Sequence, residues 1–177
     1  MELKELAGPE EIMCLIGRLA SRIDQDYIGA RPVMVGVLNG SFVFMADLVR
    51  MLKTDAEVDF IRARSYGLGQ VSSGEVLITK DVEIDVCGRD VILVEDILDT
   101  GRTAKALSEH ILAKGPASLK ICVLLDKPSK RVVDYHADYV GMEVEDRFIV
   151  GYGLDCAERF RNLPGLYELL DIGAGGG

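Results

Sequence analysis

The sequence contains no tryptophan, and aromatic residues make up only 6% of its 177 residues. Histidine occurs twice and cysteine four times, and no two cysteines form a Cys-x-x-Cys pair. Because a zinc site needs clustered cysteine and histidine ligands, these counts argue against one, and nothing in them suggests redox chemistry. We expect reduced thiols, with Cys14 on the apolar side of a helix and Cys122 in a core strand.

Positive charge is also scarce, since 20 lysines and arginines stand against 29 aspartates and glutamates, a net charge of −9 at pH 7. Nonspecific nucleic-acid binding relies on basic residues that neutralise phosphates, so we expect no nucleic-acid partner. No apolar run approaches the roughly 20 residues that cross a bilayer. The first residues are charged and mixed in sign, which is not typical of a signal peptide. We therefore expect a soluble, cytoplasmic protein with no membrane partner.

Aliphatic residues dominate, in short apolar runs that alternate with helical patterns. Helical spacing or position predicts helices over residues 9–26, from about 42 to 53, and 102–114. Apolar or alternating runs predict strands over residues 32–38, 57–64, 75–80, 91–97, 119–125, 139–144 and 148–152. This order predicts an α/β fold with a doubly wound, mainly parallel sheet in a single domain, residues 1–177.

Two glycine-rich stretches have little to bury. Residues 65–74, Ser-Tyr-Gly-Leu-Gly-Gln-Val-Ser-Ser-Gly, predict a mobile loop. Residues 173–177 predict a flexible tail.

Residues 91–103 are the most informative segment. Four apolar residues, typical of a strand buried on both faces, run directly into Glu95 and Asp96 and then Asp99. A Thr-Gly-Arg-Thr turn follows and opens a helix, and such a turn presents backbone N–H groups that suit a phosphate. An acidic run alone is more often a solvated loop. The strand before it and the turn after it favour a site for a phosphorylated sugar.

Three further segments accompany this one in a fixed order: Val-Leu-Asn-Gly-Ser at 37–41, Leu-Leu-Asp-Lys-Pro at 124–128 and Phe-Ile-Val-Gly-Tyr-Gly-Leu-Asp at 148–155. Together they resemble the type I phosphoribosyltransferases, in their hypoxanthine-guanine branch. The resemblance implies a phosphoribosyltransferase core with a small hood made by N- and C-terminal segments, assembled as a homodimer or homotetramer. It also implies transfer of the 5-phosphoribosyl group from phosphoribosyl diphosphate to N9 of hypoxanthine and/or guanine, giving IMP or GMP and pyrophosphate.

The resemblance places the ribose phosphate on the end of this strand and its turn. Glu95 and Asp96 would meet the ribose hydroxyls, directly or through Mg²⁺, a hard cation that prefers oxygen ligands. Asp99 is implied as the catalytic acceptor of the purine N7 proton. The phosphoribosyl set implied in this way is Glu95, Asp96, Asp99, Thr100, Gly101, Arg102 and Thr103.

The base is implied to lie against Lys127, Phe148, Ile149 and Asp155. Lys127 would meet the 6-oxo group, Phe148 would stack on the ring, and Ile149 would offer backbone groups to the ring edge. Asp155 would also bind the magnesium that holds pyrophosphate, which gives Glu95, Asp96 and Asp155 as metal ligands. Taken alone, Lys127 is better explained as an ordinary surface lysine, and Phe148 equally well as a core residue.

Pyrophosphate is implied to contact Asn39, Gly40 and Arg161. The family usually has lysine at the position of Asn39, in a loop that often contains a non-proline cis peptide, so this chain would rely more on backbone donors there. Arg161 could instead form a surface ion pair with Glu158. Ser65 and the following Tyr66 stand where the family has a lid over the reaction centre.

Two other functions use similar features. A regulator could keep the phosphoribosyl site to sense nucleotides while it binds RNA, but the charge of −9 argues against the basic face that this needs. An acidic phosphotransferase or phosphatase could place aspartates around Mg²⁺ at a strand end. Those enzymes commonly need Asp-x-Asp spacing, whereas Asp96 and Asp99 are three positions apart.

Overall fold

The computed structural model describes residues 2–65 and 76–170. Three helices occur in this part of the chain: α1 (Pro9–Asp26), α2 (Phe42–Met51) and α3 (Arg102–Leu112). The strands are β1 (Leu3–Ala7), β2 (Val33–Leu38), β3 (Glu57–Ser65), β4 (Val76–Lys80), β5 (Asp90–Leu98), β6 (Ser118–Asp126), β7 (Tyr139–Glu143), β8 (Ile149–Val150) and β9 (Leu166–Leu169). A 3₁₀ turn, Pro128–Lys130, follows β6.

A six-stranded sheet in the order β4-β3-β2-β5-β6-β7 forms the centre of the molecule. All its neighbouring strands run parallel except β4, which pairs antiparallel with β3. One core cluster joins α1 and α2 to one face of the sheet, and a second joins α3 to the other face. Successive residues of β5 alternate between the two clusters, as the period of a strand requires. The predicted doubly wound, mainly parallel fold is confirmed.

Helix α1 begins at the predicted residue. Pro9 occupies its first position, where a missing N–H costs nothing, and acidic residues fill the first turn. The predicted apolar stripe is buried, but Cys14 lies beside that stripe and is exposed, so its predicted position on the buried side is wrong. Cys122 is fully buried between the sheet and α1, as predicted.

A second sheet of three strands, in the order β1-β9-β8, forms the hood. β1 pairs antiparallel with β9, and β9 pairs antiparallel with β8, so the two ends of the described chain meet. This arrangement confirms the hood that the resemblance implied. The strand predicted over residues 148–152 is shorter than expected, because Gly151 (φ +94°), Tyr152 (φ 50°) and Gly153 (φ +100°) turn the chain after Val150.

Two predictions lie mostly outside the described residues. Of the predicted loop at residues 65–74, only residue 65 is described, as the end of β3. The predicted tail at residues 173–177 is outside as well. Within the described part of the chain, none of the helices combines the length and apolarity that a bilayer crossing requires.

Candidate active site

The carboxyl ends of β5 and β6 and the turn after β8 enclose an open cavity of about 450 Å³. Most of the predicted base-contacting and acidic residues line it together: Asp96, Asp99, Lys127, Phe148, Ile149 and Asp155. A smaller cavity of about 60 Å³ lies at the turn after β5 and is lined by Glu95, Asp99, Thr100, Gly101 and Thr103, among others. Asp99 lines both cavities, so it stands where the two predicted halves of the site meet.

Glu95 and Asp96 are neighbours whose side chains leave the strand on opposite faces. Glu95 is only 7% exposed, and its Oε2 finds no hydrogen-bond partner among residues 2–65 and 76–170. Burial raises the pKa of Glu95 to about 8, with a further contribution from the Asp96 charge. Burial also raises the pKa of Asp96 to about 6, although two backbone N–H groups and Arg161 oppose the shift. The pair is therefore incompletely ionised at neutral pH.

The loop after β2 lies directly against Asp96. A Cβ built on Gly40 would stand 1.8 Å from Asp96 Oδ2, so a larger residue there would require the carboxylate or the loop to move. The peptide bond between Leu38 and Asn39 is cis. Gly153 approaches the same loop from the hood side, since a Cβ on it would stand 2.3 Å from the Gly40 carbonyl oxygen. Three separate segments of the chain thus meet at the predicted pyrophosphate position.

The turn after β5, which the sequence predicts to bind a phosphate, leads into helix α3. Gly101 adopts φ +81° and caps α3, which begins at the exposed Arg102. Asp99 Oδ1 is buried and has no hydrogen-bond partner in the described part of the chain. A helix N-terminus with a glycine turn offers backbone N–H groups and a positive dipole end to an anion.

Lys127 is not the surface lysine, and Phe148 is not the core residue, that the sequence alone would allow. Lys127 is 7% exposed, and its Nζ donates to the backbone oxygen of Arg147 at 2.6 Å, so it is not an ordinary surface lysine. Phe148 is 43% exposed on the cavity wall, so it is not a core residue. Ile149 is 5% exposed and belongs to β8.

Arg161 is fixed by three acceptors of its own chain. Its Nη1 donates to the Gly153 oxygen at 2.8 Å, while Nη2 lies 2.9 Å from Asp155 Oδ1 and 3.0 Å from Glu158 Oε2. The ion pair with Glu158 that the sequence left open is therefore present. Asp155 Oδ2 accepts the Glu158 N–H at 2.8 Å, so both oxygens of Asp155 have protein partners.

The predicted metal ligands do not form a ready-made cage. Among the described residues, no group of three or more histidine, cysteine, aspartate or glutamate side chains is arranged to hold a metal ion. Asp96 and Asp155 do line one cavity, and Glu95 keeps an unpartnered buried oxygen. One or two carboxylates with free oxygens fit Mg²⁺, which takes its remaining ligands from substrate phosphates and water.

Some residues fall outside these groups. Asn39 and Gly40 are half-buried in the loop after β2, whereas Ser65 contributes only the end of β3 and Tyr66 lies outside the described residues. Sequence reasoning missed Arg131, whose side chain is 11% exposed beneath the turn after β5. Its one sequence signal is a basic residue that follows the Pro-Ser-Lys turn at the end of a core strand.

Known proteins are similar to this chain in sequence and fold. Residues 3–157 match the phosphoribosyl transferase domain. The chain is 47% identical over 171 residues to the hypoxanthine-guanine phosphoribosyltransferase of Aquifex aeolicus, covering 96% of each chain. It is 48% identical over 161 residues to that of Bacillus subtilis, covering 91% of this chain and 89% of the relative.

A solved structure agrees with these sequence matches. A crystal structure of a hypoxanthine-guanine phosphoribosyltransferase from Bacillus anthracis aligns with a TM-score of 0.92 and 45% identity, covering 96% of this chain and 100% of that one. The order of the four motifs, the fold and these similarities agree. The chain belongs to the phosphoribosyltransferase family, in its hypoxanthine-guanine branch.

Proposed function

We propose that this protein transfers the 5-phosphoribosyl group of phosphoribosyl diphosphate to N9 of hypoxanthine and/or guanine, giving IMP or GMP and releasing pyrophosphate. The observation that carries the proposal is that Asp99 lines two adjoining cavities, the smaller at the turn after β5 and the larger with Lys127 and Phe148 on its wall. This reaction serves purine salvage.

Each half of the site has its own task in this proposal. The ribose hydroxyls bind at Glu95 and Asp96, and the 5′-phosphate binds in the turn formed by residues 99–103. The purine stacks on Phe148 while the Lys127 ammonium donates to its 6-oxo group. That contact favours 6-oxopurines over adenine, since adenine carries a donor at the same position.

The reaction breaks the bond between ribose C1 and the diphosphate oxygen and forms a bond from C1 to purine N9. Negative charge grows on the leaving diphosphate, where Arg161 stabilises it together with backbone N–H groups near Gly40. Asp99 accepts the proton that the purine N7 loses, a general-base contribution of about 10²–10⁴-fold.

Magnesium is the proposed cofactor. Asp96 and Asp155 would hold Mg²⁺ in the cavity that they share, and Glu95 would hold it on the opposite face of β5, where a bound Mg²⁺ would neutralise phosphate charge. We also propose a homodimer or homotetramer in the cytoplasm, as the family resemblance implies. Sedimentation of the purified protein checks the assembly.

A product assay tests the proposed function. The protein is incubated with phosphoribosyl diphosphate, Mg²⁺ and one base at a time (hypoxanthine, guanine, xanthine or adenine), and nucleotide and pyrophosphate are quantified. We expect IMP or GMP in equal amounts with pyrophosphate, and none when Mg²⁺ is chelated. If no base gives a nucleotide, the proposal is wrong.

A further inference from the structure

Arg131 lies directly after the 3₁₀ turn that follows β6 and is almost fully buried. Its Nη1 donates to the backbone oxygen of Leu98 at 3.1 Å and to that of Asp99, while Nη2 pairs with Asp126. A buried guanidinium loses its hydration, so it is stable only where its donors are satisfied in this way. All three acceptors lie at the carboxyl ends of β5 and β6.

Backbone hydrogen bonds already hold the carbonyl groups on either side of the Asp99 carbonyl, those of Leu98 and Thr100. The Lys127 N–H donates to the Leu98 oxygen at 2.9 Å, and the Val132 N–H donates to the Thr100 oxygen at 3.1 Å. Among residues 2–65 and 76–170, the donor to the Asp99 oxygen is Arg131. The side chain thus completes a clamp on three consecutive carbonyls.

This clamp fixes the direction of the turn's N–H groups. The peptide bonds around Asp99 are trans, so each carbonyl points opposite to the following N–H. When Arg131 holds the Leu98 and Asp99 oxygens on its own side, the N–H groups of Asp99 and Thr100 point away from it. The cavity at the turn is lined by Asp99, Thr100 and Gly101, and the guanidinium supports the turn from outside that cavity.

The aliphatic part of the Arg131 side chain also packs against the turn at Gly101. A Cβ built on Gly101 would stand 3.0 Å from Arg131 Cδ, so the glycine and the arginine stem are already in close approach. Asp126, which anchors the guanidinium, is the residue before Lys127. Arg131 therefore connects the phosphate turn to the strand that carries the base-binding lysine.

We propose that Arg131 is a positioning residue that sets the 5′-phosphate turn and the Asp99 backbone, an inference that rests on the function proposed above. It touches no substrate itself. It acts by holding backbone donors toward the phosphate, so its loss weakens ligands that carry a 5′-phosphate. Pyrophosphate binds at Arg161 and Gly40 in this account and is independent of the clamp.

Binding measurements on two ligands test this role. Arg131→Lys keeps the charge but cannot bridge three acceptors in fixed directions. We expect its affinity for IMP to fall about 10- to 100-fold, because backbone N–H groups of the turn no longer hydrogen-bond the charged 5′-phosphate. Its affinity for pyrophosphate should change less than about twofold. Arg31→Lys is the matched control and should change neither affinity, because Arg31 precedes the amino end of β2 and its side chain is 60% exposed.

The outcomes separate the two proposals. Equal loss of IMP and pyrophosphate affinity, or no loss of either, would overturn the role of Arg131. A wild-type protein that forms no nucleotide would instead overturn the proposed function. If Arg131→Lys does not fold, Asp126→Asn removes the charge that anchors the guanidinium. Asp126→Asn should show the same selective loss of IMP affinity. If this variant folds and binds IMP as the wild type does, the inference is overturned.

Discussion

In the proposed reaction, Asp99 is the residue at which the sugar site and the base site meet. It lines both cavities, and its buried Oδ1 has no hydrogen-bond partner within the described residues. No protein donor uses the acceptor capacity of this oxygen, and in the proposed reaction the Asp99 carboxylate accepts the purine N7 proton. The backbone of Asp99 is held separately, by the clamp from Arg131.

Replacing this carboxylate separates binding from chemistry. We expect Asp99→Asn to lower kcat by about 10²–10⁴-fold and to change the KM for phosphoribosyl diphosphate far less, because the amide keeps its shape but is not a base. Steady-state kinetics with both substrates measure the two effects. Asp134→Asn, whose side chain is 97% exposed, is the control. Unchanged turnover in Asp99→Asn would remove Asp99 from the catalytic role.

In the proposed function, Glu158 competes with pyrophosphate for Arg161. Its carboxylate lies 3.0 Å from Arg161 Nη2 and is 78% exposed, so the pair is weak and a ligand can displace it. We expect Glu158→Gln to strengthen pyrophosphate binding about two- to fivefold, measured by calorimetric titration. Glu83→Gln, which removes another exposed partner of a basic residue, should leave this affinity unchanged. Weaker binding in Glu158→Gln would show that the carboxylate supports the site.

At the scale of elements, the site is made by segments that only the fold brings together. The loop after β2, the end of β5 and the turn after β8 converge on Asp96, Gly40 and Gly153. Parallel strands place their carboxyl ends on one edge of the sheet, which explains why polar residues distant in sequence share a cavity.

Gly40 tests this close approach. Gly40→Ala would place a methyl group 1.8 Å from Asp96 Oδ2, so loop or carboxylate must move. We expect a loss of at least about tenfold in kcat/KM and a destabilisation of about 1–3 kcal/mol. Gly17→Ala is the matched control, because its added Cβ meets Met51 Sδ at 3.9 Å in a helix, where alanine stabilises by up to about 1 kcal/mol. An active Gly40→Ala protein would contradict the geometry at Asp96.

The sequence predicted the elements whose own residues specify them. β5 and β6 are continuous apolar runs, and α1 has a proline start and a regular stripe, so their positions were close to those observed. β1 has a single fully buried residue and depends on pairing with β9, and its local pattern did not indicate a strand. Burial of Lys127 and Arg131 is likewise set by tertiary contacts and not by their neighbours in sequence.

At the scale of the whole molecule, the buried acid of the site affects the stability of the fold. Glu95 has a pKa of about 8 in the folded protein and an ordinary value of 4.5 when unfolded. Between these values the folded state holds a proton that the unfolded chain releases, so stability falls as pH rises toward 8. The site is therefore a source of pH-dependent instability in the protein without ligands.

Thermal unfolding between pH 6 and 9, in chelator and without substrate, measures this effect. We expect the wild type to lose on the order of 1–3 kcal/mol of stability from pH 6 to 8 relative to Glu95→Gln, which has no proton to release. The variant should thus show a flatter profile. Parallel profiles for the two proteins would mean that Glu95 titrates near its ordinary pKa.

In the proposed function, Lys127 selects a 6-oxopurine in the larger cavity, next to the phosphoribosyl site. Competition between hypoxanthine and adenine for phosphoribosyl diphosphate tests it most directly, in wild type, Lys127→Met and the exposed control Lys53→Met. We predict that the wild type and the control make IMP with little AMP. Lys127→Met should lose about 10- to 100-fold in kcat/KM for hypoxanthine and most of its preference for hypoxanthine over adenine. Substantial AMP from the wild type, or an unchanged preference for hypoxanthine in Lys127→Met, would show that Lys127 does not select the base.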